Sequence, residues 1–286
     1  MQKKKICRLL ALVLILVGMT GCSSGGKQDT SAGAGLDKLG NITVVSREEG
    51  SGTREIFAKS IGIYDSSIGR DQTRSGALYA MSSEEVIATV GKDQAAIGYV
   101  SKGVLTNTKP QQVHEVTVDG SSLKRSFYLA YSGNLSELEQ DFITYIKGAG
   151  QEIVGRNYTA VKKATSFLSL KPSGTIRIGG SSSIAGLMQE LADDYKTKNP
   201  NATIEITVTD STNGLTGTMS GNYDLGMSSR ELKDYEKELL SYEEIAKDEI
   251  AVIVQTDNPL ENISSKDLKA IYTGSVLDWK DLKVGQ

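Results

Sequence analysis

Residues 42–54 read Ile-Thr-Val-Val-Ser-Arg-Glu-Glu-Gly-Ser-Gly-Thr-Arg and run into a helix predicted over Glu55 to Ile63. A β-branched run, a Gly-Ser-Gly-Thr turn and a helix start in succession bring several backbone N–H groups to the positive end of a helix dipole, an arrangement that suits an anion. Gly50 and Gly52 allow close backbone approach, Ser51 and Thr53 add hydroxyl donors, and Arg47 offers a planar fork for two oxygens. Glu49 is the odd member. A carboxylate there repels a fully ionised anion but accepts a hydrogen bond from one that still carries a proton. The bland alternative is a helix cap beside a surface Arg–Glu pair.

The pattern recurs twice downstream. Thr175 to Ile178 reads as a strand, Gly179 to Ser183 as a glycine and hydroxyl turn, and Ile184 to Lys198 as a helix ended by Asn199-Pro200. Asp224 to Arg230 is a short strand running into a third hydroxyl-rich turn, with a helix expected over Glu231 to Leu240. Between them Ala202 to Val208 alternates as a strand does, with Asp210-Ser211-Thr212-Asn213-Gly214 leading to a helix from about Leu215. Further strands are expected at Ala95 to Val100, Val113 to Val118, Ser126 to Tyr131 and Ile250 to Val254, with helices at Ser82 to Val90, Leu135 to Val154 and Ser264 to Tyr272. Interleaved strands and helices imply an α/β fold with largely parallel strands, which gathers ligands at the strand C-terminal ends.

At the N-terminus, Lys3, Lys4, Lys5 and Arg8 precede the apolar run Leu9 to Val17, and Gly18 to Gly21 precede Cys22. That is a secretory signal, too short in its apolar run to remain as a spanning helix. The small pair before Cys22 resembles a bacterial lipoprotein signal, which implies cleavage there and lipid attachment to Cys22, hence an extracytoplasmic protein held to the cell membrane. Of the two cysteines the other, Cys7, lies in the leader, so no disulfide framework or cysteine metal site is expected. Ser23 to Gly40, rich in Ser, Gly and Ala, is expected to be a flexible tether. A net charge of −3 without long like-charge blocks argues against a nucleic-acid surface. A single histidine and the absence of a G-x-S-x-G elbow argue against hydrolytic catalysis, and no metal or cofactor is expected.

Gly-Ser-Gly-Thr-Arg at 50–54, Ala-Ile-Gly-Tyr-Val at 96–100, Gly-Ser-Ser-Ser at 180–183, Gly-Met-Ser-Ser-Arg at 226–230, Ile-Ala-Val-Ile-Val at 250–254, Asp-Asn-Pro at 257–259, and Ile-Tyr-Thr-Gly followed by Trp279 together resemble the phosphate-binding lipoproteins of bacterial phosphate ABC importers. The resemblance covers nearly all of the chain after the tether. It implies a two-lobed periplasmic-binding-protein-like fold of type II that closes on inorganic phosphate, with permease and ATPase subunits as partners and no catalysis.

In that family the Gly-Ser-Ser-Ser half comes first, so the order here reads as a circular permutation, or as part of a tandem chain whose site is completed elsewhere. In the permuted case residues 36–41 and 283–286 are expected side by side at the hinge. The expected divisions are a signal at 1–22, a tether at 23–40, a second-lobe-like domain at 41–126, a return segment with a long helix at 127–164, a linker at 165–174 and a first-lobe-like domain at 175–286. The resemblance places Arg47, Ser51, Gly52 and Thr53 on phosphate from one lobe, Ser183, Ile184 and Ser211 from the other, and Glu49 as proton acceptor. Ser229 falls where some members carry an aspartate, which leaves phosphate-versus-sulfate discrimination to Glu49. A sensor or adhesin with an incomplete site, or a receptor for sulfate or molybdate, are the competing readings.

Overall fold

The computed structural model describes residues 35–107, 112–120 and 123–282. The expected signal, Cys22 and most of the tether lie outside them.

The elements in chain order are β1 (Thr43–Arg47), α1 (Gly52–Ser60), β2 (Tyr64–Asp65), β3 (Arg70–Asp71), β4 (Leu78–Ala80), α2 (Ser83–Val90), β5 (Ala96–Ser101), α3 (Lys102–Asn107), β6 (Val113–Asp119) and β7 (Lys124–Tyr131). They continue as α4 (Glu137–Lys147), α5 (Gln151–Asn157), β8 (Gly174–Ser181), α6 (Ser182–Lys198), β9 (Ala202–Thr209), α7 (Ser211–Met219), β10 (Leu225–Ser228), α8 (Asp234–Leu239), β11 (Ser241–Gln255), β12 (Asn262–Ser264) and α9 (Ser265–Thr273).

One strand path, β4-β1-β5-β11-β7-β10-β8-β9, runs through two lobes. In the first, here the Arg47 lobe, β1 lies parallel to both β4 and β5. Val44 on one face of β1 packs with Ile97, Val252, Tyr272 and Trp279, while Val45 on the other packs with Val86, Val90 and Ile253. Burial on both faces explains why two apolar residues, Val44 and Val45, stand side by side in the strand where an alternating one would carry a single apolar residue. In the second, the serine lobe, β8 pairs in parallel with β9 and β10, and Ile176, Ile178, Leu187, Leu191 and Met227 form its core with Phe127 and Phe142.

Two antiparallel strands, β7 and β11, join the lobes. Along 241–249 β11 pairs with β7, and from Ile250 onward it pairs with β5 and β6 in the Arg47 lobe. Sequence pattern detects only the second half of this strand, because the first half, Ser241 to Glu249, is largely polar. The sheet is therefore mixed: β4-β1-β5 and β10-β8-β9 pair in parallel, while β5 and β6 run antiparallel to β11, β10 antiparallel to β7, and β7 and β11 antiparallel to each other.

These pairings move the expected boundaries. Residues 250–282 belong with the Arg47 lobe, since Leu260, Leu268, Ile271, Tyr272, Trp279 and Leu282 share a core with Ile42 and Phe57. Residues 127–164 are not a separate return segment; Phe127, Phe142, Ile146 and Val154 fill the serine-lobe core. The stretch at 165–174 connects two parts of that same lobe, with Phe167 packed on its core. The long helix expected over Leu135 to Val154 breaks at Gly148–Gly150 into α4 and α5. At the front of the fold the expected tether ends early: Leu36 is buried in the Arg47 lobe within a 3-10 turn, Leu36–Lys38. Ile42 N donates to Leu277 O at 2.8 Å and Trp279 N to Gly40 O at 2.9 Å, so residues 36–42 adjoin 277–282. They meet inside one lobe and not at the hinge, while 283–286 lie outside the described residues.

Candidate anion site

β1 delivers Arg47 to the junction of the lobes. Glu48 N extends the pairing to Ala80 O at 3.1 Å, and Ser51 N closes a turn on Glu48 O at 3.4 Å. Gly50, at φ 87°, takes the left-handed conformation the turn needs. α1 starts at Gly52, earlier than the pattern suggests, with Ser51 as its cap: Ser51 Oγ accepts from Arg54 N at 3.3 Å. Thr53 is thereby already in the first helical turn.

Arg47 is 1% exposed. Its Nε and Nη2 donate to the two oxygens of Glu48 at 2.7 and 2.6 Å, and Nη2 also reaches Ser182 Oγ of the other lobe at 3.0 Å. Its Nη1 is buried with no hydrogen-bond partner among the described residues. A buried guanidinium N–H without an acceptor is costly, and an oxygen acceptor placed against it would relieve that cost. Behind it, Tyr99 of the Ala-Ile-Gly-Tyr-Val segment accepts from Arg47 N at 3.3 Å and bonds Ser46 Oγ at 2.8 Å. Burial pushes the Tyr99 phenol up to about 12, so it remains a neutral hydroxyl at physiological pH.

From the serine lobe, the β8–α6 and β10 turns and the start of α7 bring four hydroxyls to the same place. Ser183 Oγ lies 2.9 Å from Thr53 Oγ1, Ser181 Oγ donates to Ser229 Oγ at 2.9 Å, and Ser211 Oγ accepts from Ser229 N at 3.0 Å. Gly52 sits against this group so closely that a Cβ there would stand 2.5 Å from Ser211 Oγ, 2.7 Å from Ser229 Oγ and 3.0 Å from Arg230 N. The edge of the junction is fastened too: Thr212 N and Oγ1 both donate to Gly50 O, at 3.2 and 3.1 Å. Arg230, held by Glu236 through two 2.8 Å bonds, lies 3.4 Å from Glu55 across the lobes. Burial works against ionisation of Glu236, but the Arg230 bonds outweigh it and hold its pKa below the usual glutamate range.

The structure thus brings Arg47, Gly52, Thr53, Ser183, Ser211 and Ser229 together, with Ser51 capping α1 beside them. Ile184 contributes only its backbone there, since its side chain is fully buried in the serine-lobe core. Glu49 is the exception. It occupies the tip of the 48–51 turn, is exposed, and lines an open hollow with Arg54, Tyr79 and Lys233. The turn swings it outward, and the buried acid is its neighbour Glu48. Burial raises the Glu48 pKa, opposed by the hydrogen bonds and charge of Arg47.

The hydroxyl turn at 179–183 is legible in the sequence, but the individual places of Ser181 and Ser182 within the group are not, nor is the buried pair Arg125–Asp248. Arg125 Nη2 donates to Asp248 Oδ2 at 2.8 Å and Nη1 to Thr53 Oγ1 at 2.6 Å. Nothing near Arg125 marks it in one dimension, because its partners lie 72 and 123 positions away. Among the described residues no group of His, Cys, Asp or Glu is arranged to hold a metal.

Two lobes joined by a pair of strands, with inward-facing hydroxyls and a buried arginine at their junction, define a solute-binding protein. Residues 165–286 match the family described as a PBP superfamily domain. A phosphate-binding protein, PstS 2, of Streptococcus pneumoniae is 36% identical over 296 residues, which covers 99% of this chain and all of that one. PstS of Bacillus subtilis is 30% identical over 115 residues, 39% of this chain and 38% of its own length. The crystal structure of a phosphate-binding protein of a phosphate ABC transporter from S. pneumoniae superposes with a TM-score of 0.67 at 36% identity, covering 85% of this chain and all of that one. The chain belongs to the PstS phosphate-binding protein family.

Proposed function

We propose that this chain captures inorganic phosphate between its lobes and delivers it to the membrane subunits of an ABC importer, without catalysing a reaction. The observation that carries the reading is the convergence, within one chain, of donors from both lobes around the unpartnered Nη1 of Arg47. A buried dianion loses its hydration, and a dense set of oriented donors is what replaces it. Here most donors are uncharged hydroxyls and amides, and the Arg47 charge is offset by Glu48, so binding depends on geometry more than on net charge.

Glu48 takes the proton-acceptor role first expected of Glu49. Both its oxygens keep lone pairs beyond those used by Arg47, and one accepts from hydrogen phosphate but opposes an unprotonated sulfate oxygen. Ser183, Ser211 and Ser229 contribute hydroxyls, and the start of α6, including Ile184 N, contributes its dipole.

The order of the halves is a circular permutation of the family's other arrangement. Full-length agreement with the pneumococcal relative, local agreement with the Bacillus one, and the adjoining of residues 36–42 with 277–282 support it. Cys22 carries lipid and holds the protein outside the cytoplasm on the cell membrane; a Cys22→Ala chain released into the medium is the expected outcome, and one that stays with the membrane refutes the anchor.

Calorimetry tests the central reading. Wild-type protein binds phosphate in the micromolar range or tighter, and Arg47→Ala weakens it by about tenfold or more, on the order of 1.4 kcal/mol. Unchanged affinity removes Arg47 from the site.

A further inference from the structure

Arg125 stands behind the binding loop at the strand junction. It and Asp248 are register partners on β7 and β11, and their side chains are 0% and 1% exposed. Asp248 is held in turn from the Arg47 lobe, its Oδ2 accepting from Ser101 Oγ at 2.8 Å and its Oδ1 from Gly103 N at 3.2 Å. Two of the guanidinium nitrogens, Nε and Nη2, are committed to Asp248, and the third, Nη1, donates to Thr53 Oγ1 at 2.6 Å.

A threonine hydroxyl has one proton and two lone pairs, and a guanidinium only donates. With Arg125 on one lone pair, the Thr53 proton and its second lone pair both face away from Arg125, toward the opposite lobe. Ser183 Oγ lies there, 2.9 Å distant on the facing lobe. We propose that Arg125 is a positioning residue which, clamped by Asp248, holds the Thr53 hydroxyl with its proton aimed at the bound anion. The inference rests on the phosphate-binding reading. Because the Arg125–Asp248 pair is neutral as a whole, its effect on the ligand runs through Thr53 and not through a long-range field. The same clamp ties the junction strands to the binding loop, so the donor is aimed before the ligand arrives.

A double-mutant cycle on the full folded domain, read by calorimetry with inorganic phosphate, tests this. Arg125→Lys keeps a cation for Asp248 but cannot span both Asp248 and Thr53; Arg125→Met with Asp248→Leu removes both charges together and guards against misfolding from an unpaired acid. Each is expected to weaken phosphate binding by about tenfold with Thr53 present and to have no further effect in a Thr53→Val background, while Thr53→Ser keeps the wild-type response. Equal losses in both backgrounds, or a lowered Tm with unchanged phosphate affinity, overturn the inference. Wild-type protein that fails to bind phosphate overturns instead the reading beneath it.

Discussion

Gly52→Ala separates closure of the cleft from stability of the fold. The added methyl would lie 2.5 Å from Ser211 Oγ and 3.0 Å from Arg230 N, where ordinary contact begins at 3.4 Å. The serine can rotate aside; the Arg230 backbone cannot. With the serine rotated, the contact to Arg230 N still requires the facing lobe to retreat by about 0.4 Å, the difference between 3.4 and 3.0 Å. Applied to the 2.9 Å Thr53–Ser183 and 3.0 Å Arg47–Ser182 bonds, that retreat gives about 3.3 and 3.4 Å, outside the ordinary range of a hydrogen bond. A bound phosphate draws its donors from the same two walls and suffers the same displacement. Losing the equivalent of one or two charge-assisted bonds, at about 1.5–3 kcal/mol each, weakens binding on the order of 100-fold. Gly52 has helical backbone at the start of α1, so alanine adds no backbone strain there and leaves the core of each lobe intact; with only the bonds between lobes lengthened, the ligand-free Tm falls by no more than a few degrees. Titration calorimetry with phosphate, paired with thermal unfolding without it, reads both. Wild-type affinity in Gly52→Ala refutes the argument, because the lobes would not then close to the separation seen here.

Three further outcomes are expected. Glu48→Gln narrows the preference for phosphate over sulfate by about tenfold, the cost of opposing acceptors at one contact, and an unaltered competition ratio removes Glu48 as proton acceptor. Glu236 has a lowered pKa in the folded state, so it contributes stability that is present above the ordinary glutamate value of 4.5 and is lost as pH falls through its folded value. Glu236→Gln should therefore flatten the acid limb of a stability-versus-pH curve, and an unchanged limb refutes the linkage. Trp279, fully buried and donating from Nε1 to Ala95 O at 2.9 Å, stitches residues 277–282 to the Arg47 lobe; Trp279→Ala should lower unfolding free energy by about 3–5 kcal/mol in urea titration followed by circular dichroism, and a loss under about 1 kcal/mol contradicts that packing.

What the sequence determined by itself was local and periodic. The strand–turn–helix succession at Ile42 to Arg54 and again at Thr175 to Lys198 is written in neighbouring residues, as are the helix starts near Ser82 and Ser264. The hydroxyl turns and Arg47 were legible for the same reason: a donor-rich loop at a helix start uses residues adjacent in the chain. What only the tertiary structure decided was which of them meet, and which way each points. Glu48 and Glu49 are indistinguishable as letters, yet the 48–51 turn buries one on Arg47 and turns the other to solvent. The polar half of β11 carries no apolar period, so its crossing between lobes, and with it the reassignment of 250–282, follows only from pairing with β7. Arg125, Asp248 and Thr53 are remote in sequence and become one unit because two antiparallel strands pass side by side behind the loop, a relation of register that no single segment encodes.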